Sequence, residues 1–197
     1  MLGAAACMIH LALAGPHSHL RSSLCARCPE GPTGCCAGPP AVAWSDLGRI
    51  VSLGGAAWLL AQIAAGDMRP VPRGLAMRRV ENHGENRAVW SMKCVYHGEA
   101  GCTIAPELRS ATCNYYLCDA AFEDAGEGGP DPAVARARRA HDALTMLYGR
   151  WDLALSERVG ERFPDGPVWD AAFLDWLAAE WRTLVAASRR ELDRLGR

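Results

Sequence analysis

Cysteines are the residues of this chain with the most specific chemistry, and eight of the nine fall into two short segments. The first segment holds a Cys-x-x-Cys pair followed by two adjacent cysteines, and the second holds four cysteines at wider spacing. The eight are Cys25, Cys28, Cys35, Cys36, Cys94, Cys102, Cys113 and Cys118. Thiolates are soft ligands that select zinc or iron-sulfur clusters over magnesium, calcium or manganese. The pattern therefore predicts a metal site with these eight cysteines as ligands.

The spacing within the segments limits how the ligands can be grouped. A Cys-x-x-Cys turn places two thiolates on one side of the chain, where they can bind a single ion. Adjacent side chains usually diverge, so we expect Cys35 and Cys36 to face different ligand sets. The simplest grouping is two four-sulfur sites, or one cluster and one structural ion. The looser spacing of the second segment does not select zinc over iron.

The cellular compartment decides whether such thiols bind metal or form disulfides. The first fourteen residues are apolar, but no lysine or arginine precedes them and His10 interrupts them, so we expect no export signal. We therefore expect a cytoplasmic protein with metal-bound thiolates, and we leave Cys7 out of the ligand set. If the N-terminus were a working signal, the alternative would be an exported protein stapled by disulfides.

The charge distribution bears on the class of partner. The chain has 21 basic and 22 acidic residues, a net charge of -1, and the two signs are mixed along the sequence. Binding to a nucleic-acid backbone needs a basic patch or stripe, so we expect no nucleic-acid partner. Because no apolar run reaches the length of a membrane span, we also expect no membrane partner. A protein partner is not identified by the sequence.

Composition divides the chain into three parts. Residues 1–24 are expected to be a flexible extension, residues 25–124 a cysteine-cluster metal-binding domain, and residues 125–197 a helical hairpin packed on that domain. The middle part is rich in Gly, Pro and Cys, whereas the last part lacks cysteine and has a helical composition. The fold class we predict is mainly α: an irregular metal-stapled domain with short helices, a small β-hairpin and a C-terminal helical hairpin.

Apolar periodicity and turn residues locate the individual elements. A helical stretch from 43 to 65 begins near Ser45, a good N-cap, and is divided by a Gly-Gly pair. Segments 75–80 and 88–96 are expected to pair as the small hairpin. The C-terminal hairpin should consist of helices from about 132 to 157 and from about 167 to 195, joined by a short turn.

Several residues near the cysteines have candidate supporting roles. Arg109 could donate to a thiolate and offset its charge, and His97 lies between two predicted ligands, where we favour a supporting role over ligation. Tyr115 and Tyr116 are expected to shield the site from water. Asp46 and Arg49 lie at the start of a predicted helix, where the helix dipole favours an aspartate in the first turn. We prefer this structural explanation of the two residues over substrate binding.

The ordered cysteine series resembles a known family over roughly residues 25 to 119. The matching stretches are Cys25-x-x-Cys28 with Cys35-Cys36, Trp44–Ile50, Cys94–Tyr96, Gly101–Ile104, Arg109 and Cys113–Cys118. Together they are similar to the YkgJ-type cysteine-cluster family, described as zinc- or iron-chelating, and a related cysteine set occurs in flagellin lysine N-methylases.

The resemblance implies metal binding through the eight cysteines and leaves the biochemical role open. Similarity to the methylases raises the alternative of an S-adenosylmethionine-dependent protein lysine methyltransferase. Against an enzyme, the sequence has no Gly-rich strand-to-helix turn for an adenosine cofactor and no alternation of strands and helices. We therefore expect a zinc- or iron-binding protein, more plausibly without catalysis than with it.

Overall fold

The structure, a computed structural model, describes residues 9–27, 34–82, 91–98, 101–124 and 132–195. The helices are α1 (Trp44–Ser52), α2 (Ala56–Ala64), α3 (Ala111–Tyr115), α4 (Asp119–Asp124), α5 (Pro132–Arg162), α6 (Ala171–Ala187) and α7 (Arg189–Leu192). The strands are β1 (Ile9–Ala12), β2 (His19–Ser22), β3 (Met68–Val71), β4 (Gly74–Met77), β5 (Arg79–Asn82), β6 (Ser91–Cys94), β7 (His97–Gly98) and β8 (Gly101–Cys102). The predicted mainly-α fold with small hairpins is confirmed.

The two long C-terminal helices, α5 and α6, run antiparallel. The Trp151 indole on α5 donates to the Ser188 hydroxyl at the end of α6 over 2.9 Å. An Arg158–Glu180 ion pair joins the same helices about two turns earlier along α6. Helix α5 extends to Arg162, beyond the predicted end near 157, because buried Val159 continues its apolar stripe.

Helix α6 begins at Ala171 rather than near 167, and the local cause is its cap. The preceding Asp170 has an extended backbone, and its side chain accepts a hydrogen bond of 2.8 Å from the backbone N–H of Phe173. An aspartate in this position satisfies one of the amides that the first helical turn leaves unpaired. The C-terminal region is thus a pair of helices followed by the short α7.

Two hydrophobic clusters meet along α5. The first packs α1 against α6 and includes Leu47, Ile50, Leu177 and the C-terminal half of α5. The second packs the N-terminal half of α5 against α3, α4 and β2. Burial of such side chains contributes roughly 1.5–3 kcal/mol each. Helix α5 therefore connects the C-terminal hairpin to the cysteine-bearing part.

Helix α1 begins one residue before the predicted cap. Its cap position is Ala43, whose N–H donates to the Asp46 carboxylate over 3.1 Å, while Ser45 is buried inside the first turn. The Trp44 N–H donates to the Asp152 carboxylate on α5 over 2.9 Å. Carboxylates thus satisfy the start of α1 in place of the predicted serine.

The strands form two-stranded antiparallel hairpins. In the described part of the 75–80 and 88–96 segments, β5 pairs with β6 so that Arg79 faces Cys94 and Asn82 faces Ser91. The start of the predicted first strand belongs instead to β4, which pairs with β3. Residues 88–90 lie outside the described residues.

The N-terminal segment, expected to be a flexible extension over 1–24, contains the β1–β2 hairpin from Ile9 onward. Leu20 on β2 is only 3% exposed within the second cluster, and Tyr148 on α5 donates its hydroxyl to the Pro16 carbonyl. Apolar side chains of this hairpin are therefore buried against α5, which gives the segment a defined place in the fold.

Within the described residues, the helices that are long enough to cross a bilayer are not apolar enough to do so. Helix α5 illustrates this, because charged residues recur along its whole length.

Candidate functional site

Five of the predicted cysteine ligands are carried by four separate elements. Cys35 and Cys36 open a 3-10 turn that packs against β6. Cys94 ends β6, Cys102 ends β8, and Cys113 lies in α3. The β7–β8 hairpin places Cys102 opposite His97. Strands and short helical turns thus place cysteines that are up to 78 positions apart in the same region of the fold.

These five cysteines line a single pocket of about 110 Å³, which we call the cysteine pocket. It is defined by the side chains of Cys35, Cys36, Cys94, Cys102 and Cys113. Tyr96, His97, Arg109 and Tyr116 are among the other residues that line it. Sulfur contacts within the pocket include the Cys94 thiol and the Met77 thioether, 3.9 Å apart.

The vicinal cysteines share this pocket instead of facing different ligand sets. The Cys36 thiol donates a hydrogen bond to the Cys35 sulfur, which lowers the pKa of Cys35 to about 6. The nearby Lys93 charge lowers it further. The same hydrogen bond, followed by burial, raises the pKa of Cys36. The pair therefore holds one thiolate and one thiol at neutral pH.

Two of the remaining pocket thiols, Cys94 and Cys113, favour the protonated form. Burial raises the pKa of Cys113 to about 11, and burial also raises the pKa of Cys94. Neighbouring sulfurs add to both effects, since negative charge on Cys102 disfavours ionisation of Cys94 and of Cys113. Such mutual repulsion is what a cation in the pocket would reverse, because a metal ion favours the thiolate.

Helix α1 holds the second cysteine segment through two buried charged side chains. The Asp46 carboxylate accepts a hydrogen bond of 2.7 Å from the Ala111 N–H, at the start of α3. The Arg49 guanidinium, 2% exposed, donates to the Glu107 carbonyl over 3.1 Å and to the Arg109 carbonyl. Burial raises the pKa of Asp46 to about 6, against the lowering effect of Arg49.

The structural interpretation of Asp46 and Arg49 therefore agrees with their contacts, but the sequence did not indicate that they would bind the backbone of a distant segment. Both were expected to act within their own helix, whereas they also bind backbone atoms about 60 positions later. No motif marks this link, because hydrogen bonds to backbone groups leave no signature in the partner's side chains.

Arg109 and the residues after it shape the wall of the pocket. The Arg109 guanidinium donates to the Ile104 carbonyl over 2.7 Å and to the Cys102 carbonyl over 3.2 Å. Its expected donation to a thiolate is thus replaced by bonds to backbone carbonyls within the same wall. The Ser110 hydroxyl caps α3 by accepting from the Cys113 N–H over 3.3 Å. The guanidinium remains a fixed positive charge at the pocket.

The two adjacent tyrosines after Cys113 and Asn114 lie in different surroundings. Tyr116 lines the cysteine pocket, in keeping with its expected shielding role. Tyr115 is instead buried in the second cluster, with its ring centroid 5.8 Å from that of Tyr148. His97 lines the pocket on the β7 side.

Two other predicted ligands, Cys25 and Cys118, do not line this pocket. Cys25 is exposed in the 3-10 turn Ser23–Arg27, and Cys118 packs against the second cluster. Leu24, next to Cys25 in the chain, packs against that same cluster. Cys28 lies outside the described residues.

The donor chemistry of the cysteine pocket suits zinc or iron, but the thiols do not converge. Within the described part of the chain, no three side chains of His, Cys, Asp or Glu are close enough together to hold a metal ion. The seven described cysteines form no disulfide. Metal binding would therefore require the pocket walls to close by side-chain rotation or movement of the surrounding turns.

Comparisons with protein-family models, with curated proteins and with solved structures find no match to this chain. The resemblance to the YkgJ-type cysteine-cluster family stays a prediction that rests on the cysteine series.

Proposed function

We propose that this protein binds zinc or iron, the latter as an ion or an iron-sulfur cluster, through the thiolates of the cysteine pocket. The observation that supports this proposal most directly is that five cysteines, spread from position 35 to position 113, line one pocket of about 110 Å³. Hydrophobic packing alone does not require thiols from four separate elements to line one pocket.

The pocket's electrostatics support binding of a cation. Cys35, with a pKa of about 6, is ionised at neutral pH and is the first ligand available. The other thiols would lose their protons on binding, because ligation requires the thiolate. Lys93 and Arg109 supply positive charge that offsets part of the negative charge of several thiolates.

The ligand set we propose is narrower than the eight cysteines of the sequence. It consists of Cys35, Cys36, Cys94, Cys102 and Cys113, and a tetrahedral ion would need four of these thiolates to be brought together. In the described part of the chain, Cys25 and Cys118 contribute no side chain to this pocket. The two groups of cysteines can therefore be separated by mutation.

Anaerobic purification followed by zinc, iron and acid-labile sulfide analysis tests the proposal. We expect at least one metal ion per chain, with an absorption band in the visible if the metal is an iron-sulfur cluster. A protein that lacks zinc, iron and sulfide, with its thiols paired as disulfides, would contradict the proposal and favour the disulfide alternative.

Serine variants identify the ligands. We expect Cys102→Ser and Cys113→Ser each to lower the metal content markedly, because each removes a pocket thiol. Cys25→Ser should retain the metal, and Cys7→Ser, outside every predicted ligand set, is the matched control. If Cys25→Ser loses metal and the pocket variants keep it, the ligands lie elsewhere. Far-ultraviolet circular dichroism verifies that each variant is folded.

A further inference from the structure

A second cavity, of about 310 Å³, lies between the N-terminal half of α5 and the end of the chain. We call it the arginine groove, because four arginines line it: Arg136, Arg139, Arg150 and Arg194. In the described part of the chain, it shares no residue with the cysteine pocket. It is therefore a separate candidate site, independent of the proposed metal function.

Helix geometry explains how the arginines come together. Positions 136, 139, 143, 146 and 150 recur every three to four residues and so lie along one face of α5. That stripe is about 21 Å long at 1.5 Å per residue. The Arg150–Glu191 ion pair, 2.5 Å long, fixes α7 beside one end. Arg194 follows and reaches the groove from the opposite wall.

The groove concentrates positive charge in a chain that is close to neutral overall. Among the described residues that line it, Glu191 is the one acidic side chain, and its carboxylate is paired with Arg150. The whole protein has a net charge of -1. Within the described residues, neither the Arg139 nor the Arg194 guanidinium is in an ion pair with a carboxylate. These two guanidinium groups are available to a carboxylate ligand.

The floor of the groove is apolar. Ala140 and Leu147 are each 2% exposed, and Leu195 closes the side opposite α5. Ala143 between them is small, so the centre of the groove is open. A simple inorganic anion would use the arginines but not this floor, and an uncharged hydrocarbon would use the floor but not the arginines. The lining as a whole matches a molecule that carries both features.

We propose that the arginine groove binds a small amphipathic anion, specifically a medium-chain carboxylate. Its carboxylate pairs with Arg139 and Arg194, and its hydrocarbon chain lies over Ala143 and Leu147. A cavity of about 310 Å³ is at the small end of known ligand sites and suits a ligand of this size. Bidentate pairing of guanidinium with carboxylate supplies orientation, and burial of the chain supplies affinity.

Isothermal titration calorimetry with sodium octanoate tests the site in the full-length protein as purified. We expect octanoate to bind at least about tenfold more tightly than acetate, which lacks the chain, and than 1-octanol, which lacks the charge. Equal affinity for acetate would show that the floor plays no part. Equal affinity for 1-octanol would show that the arginines play none. Either result, or no heat with octanoate, overturns the proposal.

Variants locate the binding site. We expect Arg139→Gln and Arg194→Gln each to weaken octanoate binding by about tenfold. Arg182→Gln is the matched control, because Arg182 is exposed on α6 and does not line the groove. A similar loss in the control would mean nonspecific charge attraction and would overturn the proposal. Ala143→Leu fills the groove without changing charge, and it should weaken octanoate binding even if an arginine variant fails to fold.

Discussion

Replacement of Gly48 by alanine tests the packing that positions the cysteine pocket. Gly48 lies in α1, and a Cβ atom at this position would be 2.4 Å from Cβ of Trp181 and 3.3 Å from the Leu177 carbonyl oxygen. Carbon atoms in contact are normally about 3.5–4.0 Å apart. Because Trp181 Cβ is fixed by the α6 backbone, rotation of the side chain cannot relieve the contact. The two helices would have to move apart.

Two effects of this substitution oppose each other. Alanine is favoured over glycine in a helix interior by about 1 kcal/mol. Overpacking by a methyl group destabilises a well-packed core by about 1–3 kcal/mol, and the 2.4 Å approach places Gly48 at the upper end. We therefore expect a net loss of about 2 kcal/mol in the free energy of unfolding.

Gly149→Ala provides the matched control for intrinsic helix propensity. Gly149 lies within α5, and a Cβ atom there would meet no atom within 4 Å. This variant should gain about 1 kcal/mol. In urea unfolding followed by circular dichroism, with a slope of about 2 kcal/mol per molar, Gly48→Ala should lower the midpoint by about 1 M and Gly149→Ala raise it by about 0.5 M. If Gly48→Ala is as stable as Gly149→Ala, α1 and α6 do not pack as described.

Three further predictions concern buried charges. Burial raises the pKa of Asp46 from 3.8 to about 6, so the folded state holds this proton more tightly than the unfolded state, and the free energy of unfolding should fall by about 3 kcal/mol as the pH rises from about 3 to about 7. The free energy of unfolding of Asp46→Asn, obtained from denaturation curves across this pH range, should depend less on pH than that of the parent. An unchanged pH dependence would contradict the assignment. Arg49→Met leaves Asp46 without its cationic neighbour and removes two hydrogen bonds to the segment before α3. We expect the free energy of unfolding to fall by about 3–5 kcal/mol and the thiols to react faster with a disulfide reagent. Stability within about 1 kcal/mol of the parent would refute the role of Arg49 in holding this segment. Arg73→Ala should change the free energy of unfolding by less than about 1 kcal/mol, because the Arg73 side chain is 67% exposed. Asp152→Ala should lower it by about 2 kcal/mol, because the buried Trp44 N–H loses its acceptor. Equal effects of the two variants in thermal unfolding would be evidence against this difference.

The helices were predictable because their signals are local. Apolar residues at helical spacing, together with a proline at the first position, located α5 from its start at Pro132. The errors lie at helix ends. Asp170 and Asp46 set helix boundaries that differ from the predicted ones through hydrogen bonds to backbone amides.

The candidate site was only partly predictable. Cysteine count and order indicated thiolate ligands, but the division of the seven described cysteines into a pocket group and an outer group was not foreseen. Cys113 and Cys118 are five positions apart, yet one faces the cysteine pocket and the other the second cluster. Their separation follows from the end of α3 at Tyr115, after which the chain changes direction. Spacing alone does not encode this direction.

The amino-acid sequence by itself determined which donor atoms the protein has and where its long helices lie, because residue chemistry and hydrophobic periodicity are local properties. Only the tertiary structure decided which donors share a pocket and which arginines share a groove. Arg194 lines the same groove as Arg139 because α6 and α7 return antiparallel to α5, and Cys35 lines the same pocket as Cys94 because a 3-10 turn packs on β6. Both arrangements depend on how separate elements pack against each other, and no short stretch of sequence contains that information.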